Sequence, residues 1–278
     1  MKVPFEIEWM GGAAEHHFRK VRPDVPDLAW GSLRASDYPP KAVEFARVSW
    51  TEVAINEYRA AAAFTEVVRA LIDARAPLDL IGMASDFLAD ECSHVELASR
   101  VAMELGGGVV RFVDPEQFAQ RPRGVTAFER ANELLLIVSC IQEAFTGGTA
   151  NVSLQTASHP LVHSVYEMIL RDEAHHRRLG GLYFEWAFSR INDSERSRLG
   201  RVLGAQLWDL SFFWKMSEQT KNIDLPIDAV RALGWLEPAR FADVAHEIVI
   251  RDILDPLATI GIAISSDERA KLMSRVPR

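Results

Sequence analysis

Cysteine is nearly absent: Cys92 and Cys140 are the two in 278 residues. Both fall inside helical patterns. They read as reduced core thiols rather than a disulfide, and a cytoplasmic setting is expected. Long apolar runs are also missing. The longest, Leu134 to Val138, is far short of the roughly 20 residues that span a bilayer. Met1-Lys2-Val3-Pro4-Phe5-Glu6 leads into mixed polar sequence without the apolar stretch of a secretory signal, so no membrane partner is expected. Basic residues are in the minority, 31 Lys and Arg against 39 Asp and Glu, for a net charge of −8. That balance argues against a nucleic-acid partner. A dinucleotide fingerprint, a phosphate-cradling P-loop and a serine nucleophile elbow are all missing, so nothing points to bound nicotinamide or to acyl transfer.

What remains is a chain with 48% hydrophobic and 25% charged residues, enough for one large domain over 1–278 with a sizeable core. Residues 1–40 are proline-rich with little periodicity, and read as an arm packing through Trp9, Phe18 and Trp30. Helical periodicity then predicts segments at about 41–75, 78–106, 125–156 and 160–191. Gly106-Gly107-Gly108 ends the second and opens a crossover whose Val109, Val110, Phe112 and Val113 suggest a strand-like piece. A fifth helix is expected at 194–220, two further segments after Pro226 and Pro238, and a last helix from Asp255-Pro256 to about 274. The expected fold is all-α: a four-helix core over 41–191 with a long crossover, an N-terminal arm and a helical extension over 192–278.

One motif dominates. Glu57 stands alone and is followed by Asp90-Glu91-Cys92-Ser93-His94; Glu143 stands alone and is followed by Asp172-Glu173-Ala174-His175-His176. A single Glu from each of two helices plus Glu-x-x-His from each of two others is the ligand pattern of carboxylate-bridged two-metal sites. On a helix, i and i+3 share a face, so Glu91 with His94, and Glu173 with His176, can reach one metal. The Glu57–Glu91 and Glu143–Glu173 separations each fit an antiparallel helix pair, and Glu91–Glu143 leaves room for a crossover.

Each candidate ligand lies on an apolar face. Trp50, Ala54, Phe64 and Leu71 share a face with Glu57; Ala84, Phe87 and Ala98 accompany Glu91 and His94; Tyr166, Ile169 and Tyr183 flank Glu173 and His176. Four buried carboxylates are tolerable only with cations between them. Glu52 and Glu133 are the rivals for Glu57 and Glu143, while Glu66 and Glu96 read as surface residues. His175 lies off the ligand face, and His16, His17, His159, His163 and His246 read as structural or surface histidines. Asp90 is expected to hold His176, and Asp172 to hold His94, by accepting the second ring N–H; the alternative is two plain surface aspartates. Phe64, Phe87, Cys140, Thr146, Gly147, Tyr166 and Ile169 are placed by helix phase around a substrate cavity. The adjacent Gly147 and Gly148 fit either a close helix crossing or a π-bulge opening space beside the metals.

With both Asp-Glu-x-x-His segments, the six residues resemble the ferritin-like superfamily of di-iron carboxylate proteins over residues 45–190. The layout is similar to the para-aminobenzoate N-oxygenase group, whose extra histidine, one turn before the last Glu, is Ile169 here. The ligand set is similar to that of the aldehyde-deformylating oxygenases, and the pattern also to the tRNA-hydroxylating monooxygenases. The resemblance implies a ferritin-like four-helix bundle and a non-haem di-iron oxygenase that uses O2 to oxidise a small organic substrate by hydroxylation, N-oxygenation or C–C cleavage. Glu57 would bind one iron and Glu143 the other or both; Glu91 and Glu173 would bridge or chelate, and His94 and His176 would cap one iron each. Fe/Fe and Mn/Fe pairs both suit such ligands. Electrons would come from a ferredoxin or a reductase, and oligomer statistics suggest a homodimer. The alternative is a ferroxidase or other iron-handling protein.

Overall fold

Prolines, glycines and capping residues set the helix ends. The computed structural model describes residues 1–220 and 224–274. In the arm, β1 (Val3–Pro4) and a ten-residue helix α1 (Gly12–Val21) precede the main helices. Pro40, whose missing N–H costs nothing at a first helical position, opens α2 (Pro40–Asp73), and Pro77 precedes α3 (Leu78–Glu104). Gly106 and Gly107 take φ of 105° and 101° and close α3 by bonding back to the Met103 and Ala102 carbonyls, a left-handed termination that glycine makes without steric cost. The crossover forms β2 (Phe112–Val113), antiparallel to β1, with Val3 opposite Val113.

A reciprocal capping box between Thr126 and Glu129 starts α4 (Ala127–Leu135). A π-helical turn, Leu136–Gln142, joins it to α5 (Glu143–Thr156). His159 caps α6 (Pro160–Ala187). The extension comprises α7 (Asp193–Thr220), α8 (Ile227–Ala232), α9 (Pro238–Ile248), a second π-turn (Val249–Leu254), α10 (Asp255–Thr259) and α11 (Ser266–Met273). The single last helix expected from Asp255 is thus two: Gly261 at φ 79° breaks it, and a Ser265–Glu268 capping box restarts it. Among the described residues some 75% are helical and two short strands pair, which makes the fold all-α.

Among the described residues two large apolar clusters fill most of the interior, and a small third one, Ile55 with Val113 and Phe118, lies under the β1–β2 pair. Of the large two, one contains Phe64, Leu71, Phe87, Ile141, Leu179 and Tyr183; the other Trp50, Ala54, Leu97, Val101, Tyr166 and Ile169. Each fully buried Leu or Phe contributes roughly 1.5–3 kcal/mol. Along α2, α3 and α6 one cluster ends and the other begins around positions 57, 91–94 and 173–176, so these polar residues form a layer between two apolar halves. The second cluster is closed by the loop after α8. Trp50 Nε1 donates to Leu233 O at 3.0 Å, and Tyr166 Oη donates to Gly234 O at 2.7 Å.

The arm docks on α3. Arg19 binds Glu96 with two hydrogen bonds, 2.6 and 2.7 Å, and stacks over Trp9. Glu96 is therefore 3% exposed, not the surface residue that helix phase suggests. Cys92 departs the other way: it is exposed rather than in the core, while Cys140 is partly buried, and both are free thiols.

Candidate metal centre

The structure brings all six proposed ligands together. Glu57 comes from α2, Glu91 and His94 from α3, Glu143 from the first residue of α5, and Glu173 and His176 from α6. Glu91, His94 and His176 are 0% exposed, Glu173 is 2% and Glu143 is 4%; the Glu57 side chain is 16% exposed. Two overlapping sets form, each with donor atoms within 4.8 Å of one another: Glu57, Glu91, His94 and Glu173, and Glu91, Glu143, Glu173 and His176. Glu91 and Glu173 belong to both. Each set can hold a metal ion.

The imidazoles are oriented by their outer nitrogens. His176 Nε2 lies 3.2 Å from Asp90 Oδ2, and His94 Nε2 lies 3.4 Å from Asp172 Oδ2. Each aspartate thus serves the histidine of the opposite helix. An N–H at Nε2 leaves Nδ1 as the lone pair turned inward. His176 Nδ1 is 3.0 Å from Glu91 Oε1 and 3.6 Å from Glu143 Oε2. His94 Nδ1 is 3.7 Å from Glu91 and 3.8 Å from Glu173. None of these approaches has hydrogen-bond geometry: His94 Nδ1, His176 Nδ1, both Glu91 oxygens and Glu173 Oε2 are buried without a hydrogen-bond partner. Orphaned polar atoms are rare in a folded interior, and here they converge on one layer. That donor set, carboxylate oxygen plus imidazole nitrogen, suits a divalent transition metal.

The electrostatics of the metal-free protein have the same cause. Burial, then the Glu91 carboxylate, pushes Glu57 well above its ordinary range; burial and Glu143 do the same to Glu173. Burial alone would also raise Glu91, but His176 and His94 outweigh it and hold it down to about 2. Burial would lower His94, yet Asp172 and Glu91 push it up to about 10. His176 is likewise raised, by Asp90, Glu143 and Glu91 against burial. Protons here do what cations would: they balance four carboxylates in a dry layer.

The arm reaches this layer from outside. Arg22 Nη2 lies 2.5 Å from Asp90 Oδ1. On the mirrored side, Asp24 pairs with Arg171 at 3.1 Å, and Arg171 with Asp172 at 3.0 Å. Both histidines are therefore tied through an aspartate and an arginine to residues 22–24. Helix periodicity carries no sign of this, because the arm is nonperiodic and the contacts are remote in sequence.

The rivals have other duties. Glu52 pairs with Arg111 at 2.5 Å. Glu133 is buried but accepts from the backbone N–H groups of Arg123 and Gly124 and pairs with Arg198 at 2.5 Å. Among the residues placed around a cavity, Phe87 and Phe64 pack on the His176 ring, with centroids 4.2 and 5.3 Å away. Tyr166 and Ile169 are buried in the Trp50 cluster. Thr146 lies outside the interior: it is exposed and donates to Gln142 O. Gly147 lies under the Arg177 side chain, and Cys140 faces Gly180 of α6. The π-turn falls at Leu136–Gln142, ahead of Glu143 rather than at the glycine pair. Gly148 instead marks a close crossing, since a Cβ there would stand 2.9 Å from Ile248 of α9.

No known protein family matches the chain, and no curated protein is significantly similar to it. Among the described residues, no helix is long and apolar enough to cross a membrane.

Proposed function

We propose that this chain is a ferritin-like, non-haem di-iron oxygenase acting on a small organic substrate. One observation carries the proposal: two four-residue sets share Glu91 and Glu173, and the donor atoms facing the shared space are buried without partners. Glu57 and His94 would hold one ion, Glu143 and His176 the other, and Glu91 and Glu173 both. Two ferrous ions at such ligands supply the electrons and open coordination positions that dioxygen requires. The protein contributes orientation and dryness. Asp90 and Asp172 keep the Nε2 protons in place and so present Nδ1 inward, while Phe64 and Phe87 cover His176 on its apolar side. Reducing equivalents would come from an external donor such as a ferredoxin or a reductase.

The test is metal content followed by oxygen chemistry. The expected outcome is about two irons per chain after anaerobic reconstitution, with O2 consumption that continues when reductant is supplied and yields an oxygenated product from an amine, aldehyde or fatty-acid panel. Iron uptake that proceeds past two per chain, with O2 consumed only in step with added ferrous ion, would favour iron handling instead. Failure to bind metal would defeat both.

A further inference from the structure

We propose that the cavity between α6, the first π-turn and α10 binds an apolar molecule ending in a carboxylate, with Arg177 as its main charged contact. This site lies outside the metal layer and does not depend on it. Its volume is about 790 Å³, within the range of roughly 300–1,000 Å³ typical of small-molecule sites. The helical extension makes it, because α10 and the second π-turn roof the seam where α5 meets α6. Ala144, Ala174, Phe184, Leu257 and Ile260 supply apolar walls.

Three arginines line the same space: Arg177, Arg178 and Arg251. Arg251 is already held by Asp252 through two 2.7 Å bonds. Among the described residues Arg177 and Arg178 have no carboxylate within ion-pair distance, the rim residue Glu185 included. Arg177 Nε is buried and lacks an acceptor; its side chain lies flat along Gly147, where a Cβ would come 3.3 Å from Nε.

A second unpartnered donor is independent of the first. Ser139 is 0% exposed and its hydroxyl bonds nothing. Helical hydroxyls elsewhere in the chain behave differently: Ser93 and Ser99 donate to the carbonyls of Ala89 and Val95, four residues back. Ser139 sits in the π-turn, where that bond is not made. Arg177 and Ser139 both line this cavity, and each carries a buried donor without an acceptor; with the apolar walls, they define a complementary guest with an anionic acceptor on an apolar body. A guanidinium fork matches a carboxylate in shape and charge.

The probes are octanoate and its neutral analogue octanamide, titrated calorimetrically into the full chain stripped of metal by a chelator, so that carboxylate coordination to metal plays no part. Octanoate should bind one per chain and about tenfold tighter than octanamide. Arg177→Gln should erase that preference by weakening octanoate alone. Gly181→Leu should block both ligands without lowering the melting temperature, because Gly181 lines the cavity and a Cβ there meets nothing within 4 Å. Absence of saturable octanoate binding, equal affinity for the two probes, a preference that survives Arg177→Gln, or binding that survives Gly181→Leu would each overturn the proposal.

Discussion

Replacing Arg22 with alanine should loosen one metal position and spare the other. Arg22 stands 2.5 Å from Asp90, and Asp90 stands 3.2 Å from His176 Nε2. The ion pair is shielded, with side chains 15% and 10% exposed, so it is worth more than the ~1 kcal/mol or less of a surface pair. Losing the outer partner of a metal-bound histidine typically costs about 10–100-fold in affinity. Arg22 acts one link further out, which sets the expected loss near the low end, about tenfold or ~1.4 kcal/mol. It should fall on the position served by His176 and Glu143, since His94 is held by Asp172 and Arg171. Chelator competition on the loaded protein resolves the two affinities, and Arg22→Lys should recover part of the loss. Arg19→Ala is the control for general loosening of the arm, because Arg19 anchors α1 on Glu96 and touches neither Asp90 nor Asp172. Unchanged affinity in Arg22→Ala, or an equal loss in Arg19→Ala, would refute the reasoning.

The shared ligands should differ from the unshared ones: Glu91→Ala or Glu173→Ala should abolish binding at both positions, whereas Glu57→Ala or Glu143→Ala should leave about one ion per chain by elemental analysis. Gly234→Ala should lower stability by about 1–3 kcal/mol in thermal or urea unfolding, because Gly234 has φ 93° and a Cβ there would meet the Tyr166 ring at 2.6 Å; a near-neutral effect would contradict that packing. In the metal-free protein His94 is raised from 6.5 to about 10, so its stabilisation is complete below about pH 6.5 and disappears as pH climbs toward 10. The raised Glu57 and Glu173 act in the same direction. Metal-free stability should therefore fall on the alkaline side, by about 1.4 kcal/mol per pH unit for each group titrating. The metal-loaded protein should stay nearly flat, and a rise in metal-free stability over that window would count against the electrostatics.

Local physics made much of this protein legible from its residues. Pro40, Pro77, Pro160, Gly106 and Gly107 act on their own backbone, so helix ends fall within a few residues of where they are expected. The i, i+3 spacing puts Glu91 beside His94, and Glu173 beside His176, on faces whose apolar neighbours mark them as inward. Those facts hold for the isolated helices. Partners, by contrast, are settled by contacts between segments far apart in sequence. Glu96 is buried because Arg19 arrives from the arm, and Arg22 and Asp24 reach the aspartates behind both histidines from a stretch with no periodicity to read. The π-turn precedes Glu143, and the crossing of α5 over α9 at Gly148 depends on Ile248, a hundred positions away. The cavity beside Arg177 exists because α10 folds back over the α5–α6 seam. Sequence determined which side chains could serve as ligands, through helix geometry; only tertiary packing decided which charges would be buried together, because Coulomb and desolvation terms depend on distance in space and not along the chain.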